Sequence, residues 1–219
     1  RDQNAWAEVT FSDIDWAGQK RMLERGKPEN LLKNGSFEMA IGDDAKDQAL
    51  YWSRIGHWFN REDAWTPTRE GTCLAGYHHW QIDSQENSVV YQDVTGLTPG
   101  REYTFSIDVT RDVPGEGTHG PESVEIRLES PSRDCLVHCA GHTYSGKDIG
   151  SENQWSRLQV SGVAVSDTLR VLVIVTPSKE SPRGASLKFD NATLVDKEVH
   201  QAASVGRLSL TFLSSMEEV

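Results

Sequence analysis

Residues 30–38 read Asn-Leu-Leu-Lys-Asn-Gly-Ser-Phe-Glu, and residues 187–194 read Leu-Lys-Phe-Asp-Asn-Ala-Thr-Leu. The first stretch sets Glu38 just after the small polar turn Asn34-Gly35-Ser36. The second sets Asp190 inside an apolar strand, where a charge is costly unless it is paired or bound to a metal. An opening and a closing segment that each contribute a carboxylate suggest a sandwich whose ends are joined by a hard cation.

Working outward, the middle of the chain is a series of short alternating runs separated by turn residues, the pattern of a β-sandwich. Tyr103, Phe105, Ile107 and Val109 alternate with Glu102, Thr104, Ser106 and Asp108, which predicts a half-buried strand. Val124, Ile126 and Leu128 alternate with charged residues, and His78, Trp80 and Ile82 alternate with His79, Gln81 and Asp83. Leu169 to Val175 is apolar on both faces and reads as a central, covered strand. Thr98-Pro99-Gly100 is a turn placed directly before a strong strand, and Val113 to Pro121 reads as a loop. Helical periodicity is confined to a short segment around Ala17 to Arg25, closed by Gly26.

The 219 residues suffice for one large domain, or one domain plus extensions. A net charge of −11 without a basic run argues against nucleic acid, and Val171–Val175 is too short an apolar run to cross a membrane. The chain carries no Gly-x-Ser-x-Gly elbow, no His-Glu-x-x-His and no Gly-rich phosphate loop, so catalysis is poorly supported. Its acidic residues are scattered, with no two singled out as a glycosidase pair. A lyase groove built on His57, Arg61 and Arg54 is conceivable, but the acidic balance opposes acidic substrates. Asn34-Gly35-Ser36 and Asn191-Ala192-Thr193 match the glycosylation sequon, and both read as coincidence inside fold motifs.

The two end motifs resemble those of the carbohydrate-binding modules in the broad superfamily of families 4, 9, 16 and 22, a galactose-binding-like jelly roll. Those modules open with Asn-Gly-Ser/Asp-Phe-Glu and close with an aromatic-Asp-Asp/Asn-hydrophobic strand. The likeness spans roughly residues 30–196. It takes in Tyr51-Trp52, Gly71-Thr72, Val94 through Tyr103, Trp155 and Asp167 through Val171. Residues 1–29 and 197–219 read as extensions or linkers, and the alternation of Leu208, Leu210 and Phe212 suggests one extra strand in the second. The resemblance implies an all-β jelly-roll sandwich of two antiparallel sheets. It also implies a structural calcium held by Glu38 and Asp190, with backbone carbonyls near Gly35 and Thr72. Trp52 and Trp155 fall at the family's core positions.

Sugars present C–H faces that stack on aromatic rings and hydroxyls that need planar polar partners. Two stretches mix such groups: Trp58-Phe59-Asn60-Arg61-Glu62-Asp63-Ala64-Trp65 and Tyr77-His78-His79-Trp80-Gln81. The candidate ligand residues are therefore Trp58, Arg61, Trp65, Tyr77, His79 and Trp80, with Tyr91 and Gln92 beside them on a paired strand. Strand aromatics alternate in and out, so for any one of Trp58, Trp65, Tyr77 or Trp80 a place in the core competes with a ligand contact. Cys135, His138, Cys139 and His142 lie within eight residues between Pro131 and Gly146, read as a long loop. A local Cys135–Cys139 disulfide, unpaired thiols and a zinc site are the three readings. The resulting expectation is non-catalytic binding of a neutral glycan by a secreted, cell-surface or periplasmic module. The alternative is a structural or protein-interaction sandwich on the same scaffold.

Overall fold

A computed structural model describes residues 29–56, 59–62, 67–78, 86–111, 121–132, 135–151, 154–178 and 186–198. The compact unit that carries the fold is Asn30–Lys197. The expected helix near residues 17–25, the expected loop Val113–Pro121 up to residue 120 and the expected strand at residues 208–212 lie outside the described residues.

The described strands are β1 (Ser53–Ile55), β2 (Phe59–Glu62), β3 (Leu74–His78), β4 (Ser88–Thr95), β5 (Glu102–Arg111), β6 (Ser123–Ser132), β7 (Cys135–Ser145), β8 (Ser156–Val163), β9 (Thr168–Thr176) and β10 (Ser186–Asp196). They form two five-stranded sheets, in the orders β1-β4-β9-β6-β7 and β2-β3-β10-β5-β8. Every pairing is antiparallel. This is a jelly-roll β-sandwich. Each sheet has an apolar face, and stacking the two faces removes both from water.

The inner layer follows the predicted alternation. Phe105, Ile107 and Val109 of β5, Val124, Ile126 and Leu128 of β6, and Leu169, Val171, Val173 and Val175 of β9 are fully buried. Phe59 packs between Tyr77 and Phe189, with ring centroids 5.5 and 5.3 Å away. β9 is the middle strand of its sheet, as its doubly apolar run predicts. β5 departs from expectation: its polar residues Thr104, Ser106, Asp108 and Thr110 are buried as well. Asp108 is balanced there by Arg69 at 3.3 Å and Arg157 at 3.2 Å.

The Cys135–His142 stretch requires a correction, because it is not a loop. It forms β7, an edge strand paired in full with β6 and broken only by an irregularity opposite Leu128 and Glu129. Cys135 and Cys139 are free thiols. A strand rises about 3.3 Å per residue, so cysteines four apart lie well beyond the roughly 7 Å Cα limit for a bridge. The register also sets His138 opposite Glu129 and His142 opposite Ile126, on alternate faces. Among the described residues no three His, Cys, Asp or Glu side chains converge as a metal set.

Candidate functional site

The end motifs come together. Leu31 N–H donates to Leu194 O at 2.8 Å, and Ala192 N–H donates to Gly35 O at 2.8 Å. The Asn30 side chain accepts from Leu194 N–H at 3.0 Å and donates to Ala192 O at 2.9 Å. This ladder needs a bulge in β10: Asn191 takes φ 51°, and the register against β5 shifts between Asp190 and Thr193.

Both predicted carboxylates grip one turn, residues 68–73. Asp190 is fully buried and accepts from Arg69 N–H at 2.6 Å and Glu70 N–H at 3.0 Å on Oδ2, and from Asn191 N–H at 2.6 Å on Oδ1. Glu38 accepts from Thr72 N–H at 2.8 Å and Cys73 N–H at 2.7 Å on Oε1, and from the Thr72 hydroxyl at 2.9 Å on Oε2. Glu38 Oε2 and Asp190 Oδ1 each keep lone-pair capacity. Such hard carboxylate oxygens suit calcium, so the donor chemistry fits the ion that the end motifs imply.

Burial pushes the Glu38 carboxyl up, but the Cys73 N–H and the Thr72 hydroxyl and N–H more than reverse this, leaving it below the ordinary 4.5. A lowered folded-state pKa contributes stability above the unfolded value, and that stability is lost as pH falls through the folded value. Glu38→Gln should therefore lower the melting temperature by about 3 °C near pH 7, with the gap to wild type closing as the pH falls below about 4. A gap independent of pH would count against the carboxylate staple. Asp190 runs the other way, because burial pushes it up and its three N–H donors do not cancel that.

Beside the staple, a cleft of about 380 Å³ opens where β1, an edge strand of one sheet, adjoins β2, an edge strand of the other. Its floor includes Trp52, whose ring packs on Phe37 at 5.1 Å and whose Nε1–H donates to Asn34 O at 2.9 Å. Tyr91, on β4 beside Ser53, forms part of its wall. The Arg170 guanidinium covers the Tyr91 ring at 4.3 Å and is itself held by Asp93 at 2.7 and 2.8 Å. Arg54 Nη1 donates to Asn60 Oδ1 at 2.8 Å and Phe59 O at 3.1 Å, fixing two polar side chains at the rim. Arg61 is locked by the carbonyls of Phe37 and Glu38 and by Cys73 Sγ at 2.8 Å.

Of the predicted ligand residues, the structure brings Tyr91 and Arg61 to this cleft. Tyr77 is corrected to the core: it is fully buried between the sheets, where burial pushes its phenol pKa up. Gln92 is also corrected. It is buried, and its side chain pairs with Lys33, accepting from the N–H at 2.8 Å and donating to the carbonyl at 2.9 Å. Trp58, Trp65, His79 and Trp80 lie outside the described residues. Sequence reasoning grouped Arg54 with Arg61 and His57 only as a conceivable lyase groove, and read Trp52 as core. Neither reading says which sheet edges will meet.

Neither a protein-family model nor a curated protein matches this chain. Solved structures do match in fold. TmCBM61, solved with β-1,4-galactotriose, has a TM-score of 0.51 and 17% identity, covering 77% of this chain and 99% of that one. A putative sugar-binding protein from Bacteroides thetaiotaomicron VPI-5482 has a TM-score of 0.54 and 12% identity, covering 77% and 100%. A cyclase from Fischerella sp. TAU has a TM-score of 0.54 and 17% identity, covering 74% and 94%. The chain has the jelly-roll fold of carbohydrate-binding modules. The cyclase is a reminder that this scaffold also carries chemistry.

Proposed function

We propose that this protein binds a carbohydrate without transforming it, in the cleft between the β1 and β2 edges. The observation that carries the reading is the combination in one cleft of the Trp52 indole floor and the planar polar groups of Arg54, Asn60 and Gln48. An aromatic floor with a few fixed hydrogen-bonding groups is what a sugar ring requires. The structural likeness to TmCBM61 supports the fold on which such a site is built.

Calcium belongs to the same reading as a stabiliser. The carboxylates of Glu38 and Asp190, with backbone oxygens at Gly35 and Thr72, would hold it and clamp turn 68–73 to both ends of the sandwich. An extracellular or cell-surface setting fits a module that concentrates an attached activity on a polysaccharide. A lower melting temperature in EDTA, restored by calcium and absent in Glu38→Gln, is the expected result.

Titration against a polysaccharide panel tests the binding site. Gln48→Ala and Asn60→Ala should each weaken affinity for the polymer that binds about three- to tenfold. Wild-type affinity in both variants, with unchanged melting temperatures, would remove this cleft as the site.

A further inference from the structure

The described lining of the cleft carries two guanidiniums, Arg54 and Arg61, and no Asp or Glu. That is unexpected in a chain with 33 acidic and 22 basic residues. Elsewhere in the sandwich Arg69, Arg101, Arg127, Arg157 and Arg170 each lie against a carboxylate, while Arg111, outside the cleft, donates to Ile149 O. The partners of Arg54 and Arg61 among the described residues are instead carbonyls, an amide oxygen and a thiol. Among the described residues both charges therefore stand without a counter-ion, in a concave site where charge matters more than on an open surface.

The geometry of Arg54 is the more telling. Its Nη1 is held by Asn60 Oδ1 and Phe59 O, which fixes the plane of the guanidinium. The Nε–H and Nη2 edge is left without a partner among the described residues. Two parallel N–H donors on one rigid edge match the two oxygens of a carboxylate. Arg61 adds a positive charge held in place by the backbone, a few residues along the same rim.

We propose that the cleft selects a sugar that bears a carboxylate, so that its ligand is a uronate-containing glycan, with Arg54 as the residue that reads the carboxyl group. This rests on the reading of the cleft as a glycan site. The net charge of −11 opposes polyanions at long range, but that repulsion is screened beyond about 8 Å at physiological salt. A contact inside the cleft is shorter and less screened.

The test is calorimetric titration at about 0.15 M salt. Oligosaccharides from pectin, glucuronoxylan and alginate would each be run beside the carboxyl-reduced form, with one sulfated glycan added. At least one acidic oligosaccharide should bind, and its carboxyl-reduced form should bind about tenfold more weakly. Arg54→Gln should abolish that difference and Arg54→Lys should keep part of it, with melting temperatures unchanged because the side chain sits on an exposed edge. Equal binding of the acidic and reduced forms, a persistent difference in Arg54→Gln, or tighter binding of the sulfated glycan would each overturn the inference while leaving glycan binding intact. Binding to none of the saccharides would overturn the reading of the cleft itself, and the inference with it.

Discussion

Gly35→Ala should leave the sandwich unfolded, or melt it about 10 °C or more below wild type. A Cβ at this position would stand 2.1 Å from the carbonyl oxygen of Ala192. The obstacle is backbone, so no side chain can swing aside. Nor can the opening segment separate from β10, because Gly35 O accepts the Ala192 N–H at 2.8 Å and Leu31 N–H donates to Leu194 O. Relieving the clash means breaking the contact that joins the two ends of the domain. Overpacking of this kind costs roughly 3 kcal/mol or more. The measurement is a thermal melt followed by circular dichroism. A variant that melts within a few degrees of wild type would show that the bulge at Asn191 yields easily.

Asn34→Asp is the second large effect, at roughly 3–5 kcal/mol near pH 7. Asn34 is 9% exposed and takes φ 53°, a conformation that Asn and Asp both tolerate. Its amide donates to Met39 O at 2.9 Å and Leu50 O at 3.0 Å, and its oxygen accepts from Met39 N–H at 2.9 Å. Aspartate keeps the shape and the acceptor but aims a charged oxygen at two carbonyls. Its folded-state pKa is therefore raised, so the folded variant holds the proton more tightly than the unfolded chain. The deficit relative to wild type is then smallest at low pH and grows as pH rises through the carboxyl range. Urea midpoints at about pH 4 and pH 7 measure this. An equal loss at both pH values would show that the amide donors are not what matters.

These substitutions fall in Asn34-Gly35-Ser36, whose importance was legible before any coordinates. The reason the motif matters was not. The sequence suggested a turn before an acidic residue. The structure shows an amide that ties three backbone groups, and a glycine pressed against the bulge of β10. The carboxylates Glu38 and Asp190 were legible in the same partial way. A charge within an apolar strand announces a partner, but turn 68–73 as the shared partner depends on a register set through β3 and β10.

The candidate binding site was less legible. Tyr77 and Tyr91 look alike in sequence, each an aromatic in an alternating run. Tyr77 faces Phe59 and lies inside the sandwich, while Tyr91 points outward beneath Arg170. Alternation says which residues share a face and leaves open which face is covered. The error at Cys135–His142 has a related cause. Its Pro, Ser and Gly flanks are turn formers, yet full pairing with β6 satisfies the backbone and extends the strand.

The sequence by itself determined the all-β class, the inner rows of β5, β6 and β9, and the two end motifs that meet. These follow from the period-two projection of strand side chains and from the local chemistry of turns and charges, which neighbours along the chain control. Tertiary structure alone decided that β1 and β2 become adjoining edges of different sheets, that Tyr91, Arg54, Asn60 and Trp52 line one cleft, and that no carboxylate among the described residues meets Arg54 there. Strand order is a choice among long-range pairings. It is settled by the burial of both apolar faces at once, a property of the assembled sandwich and of no single segment.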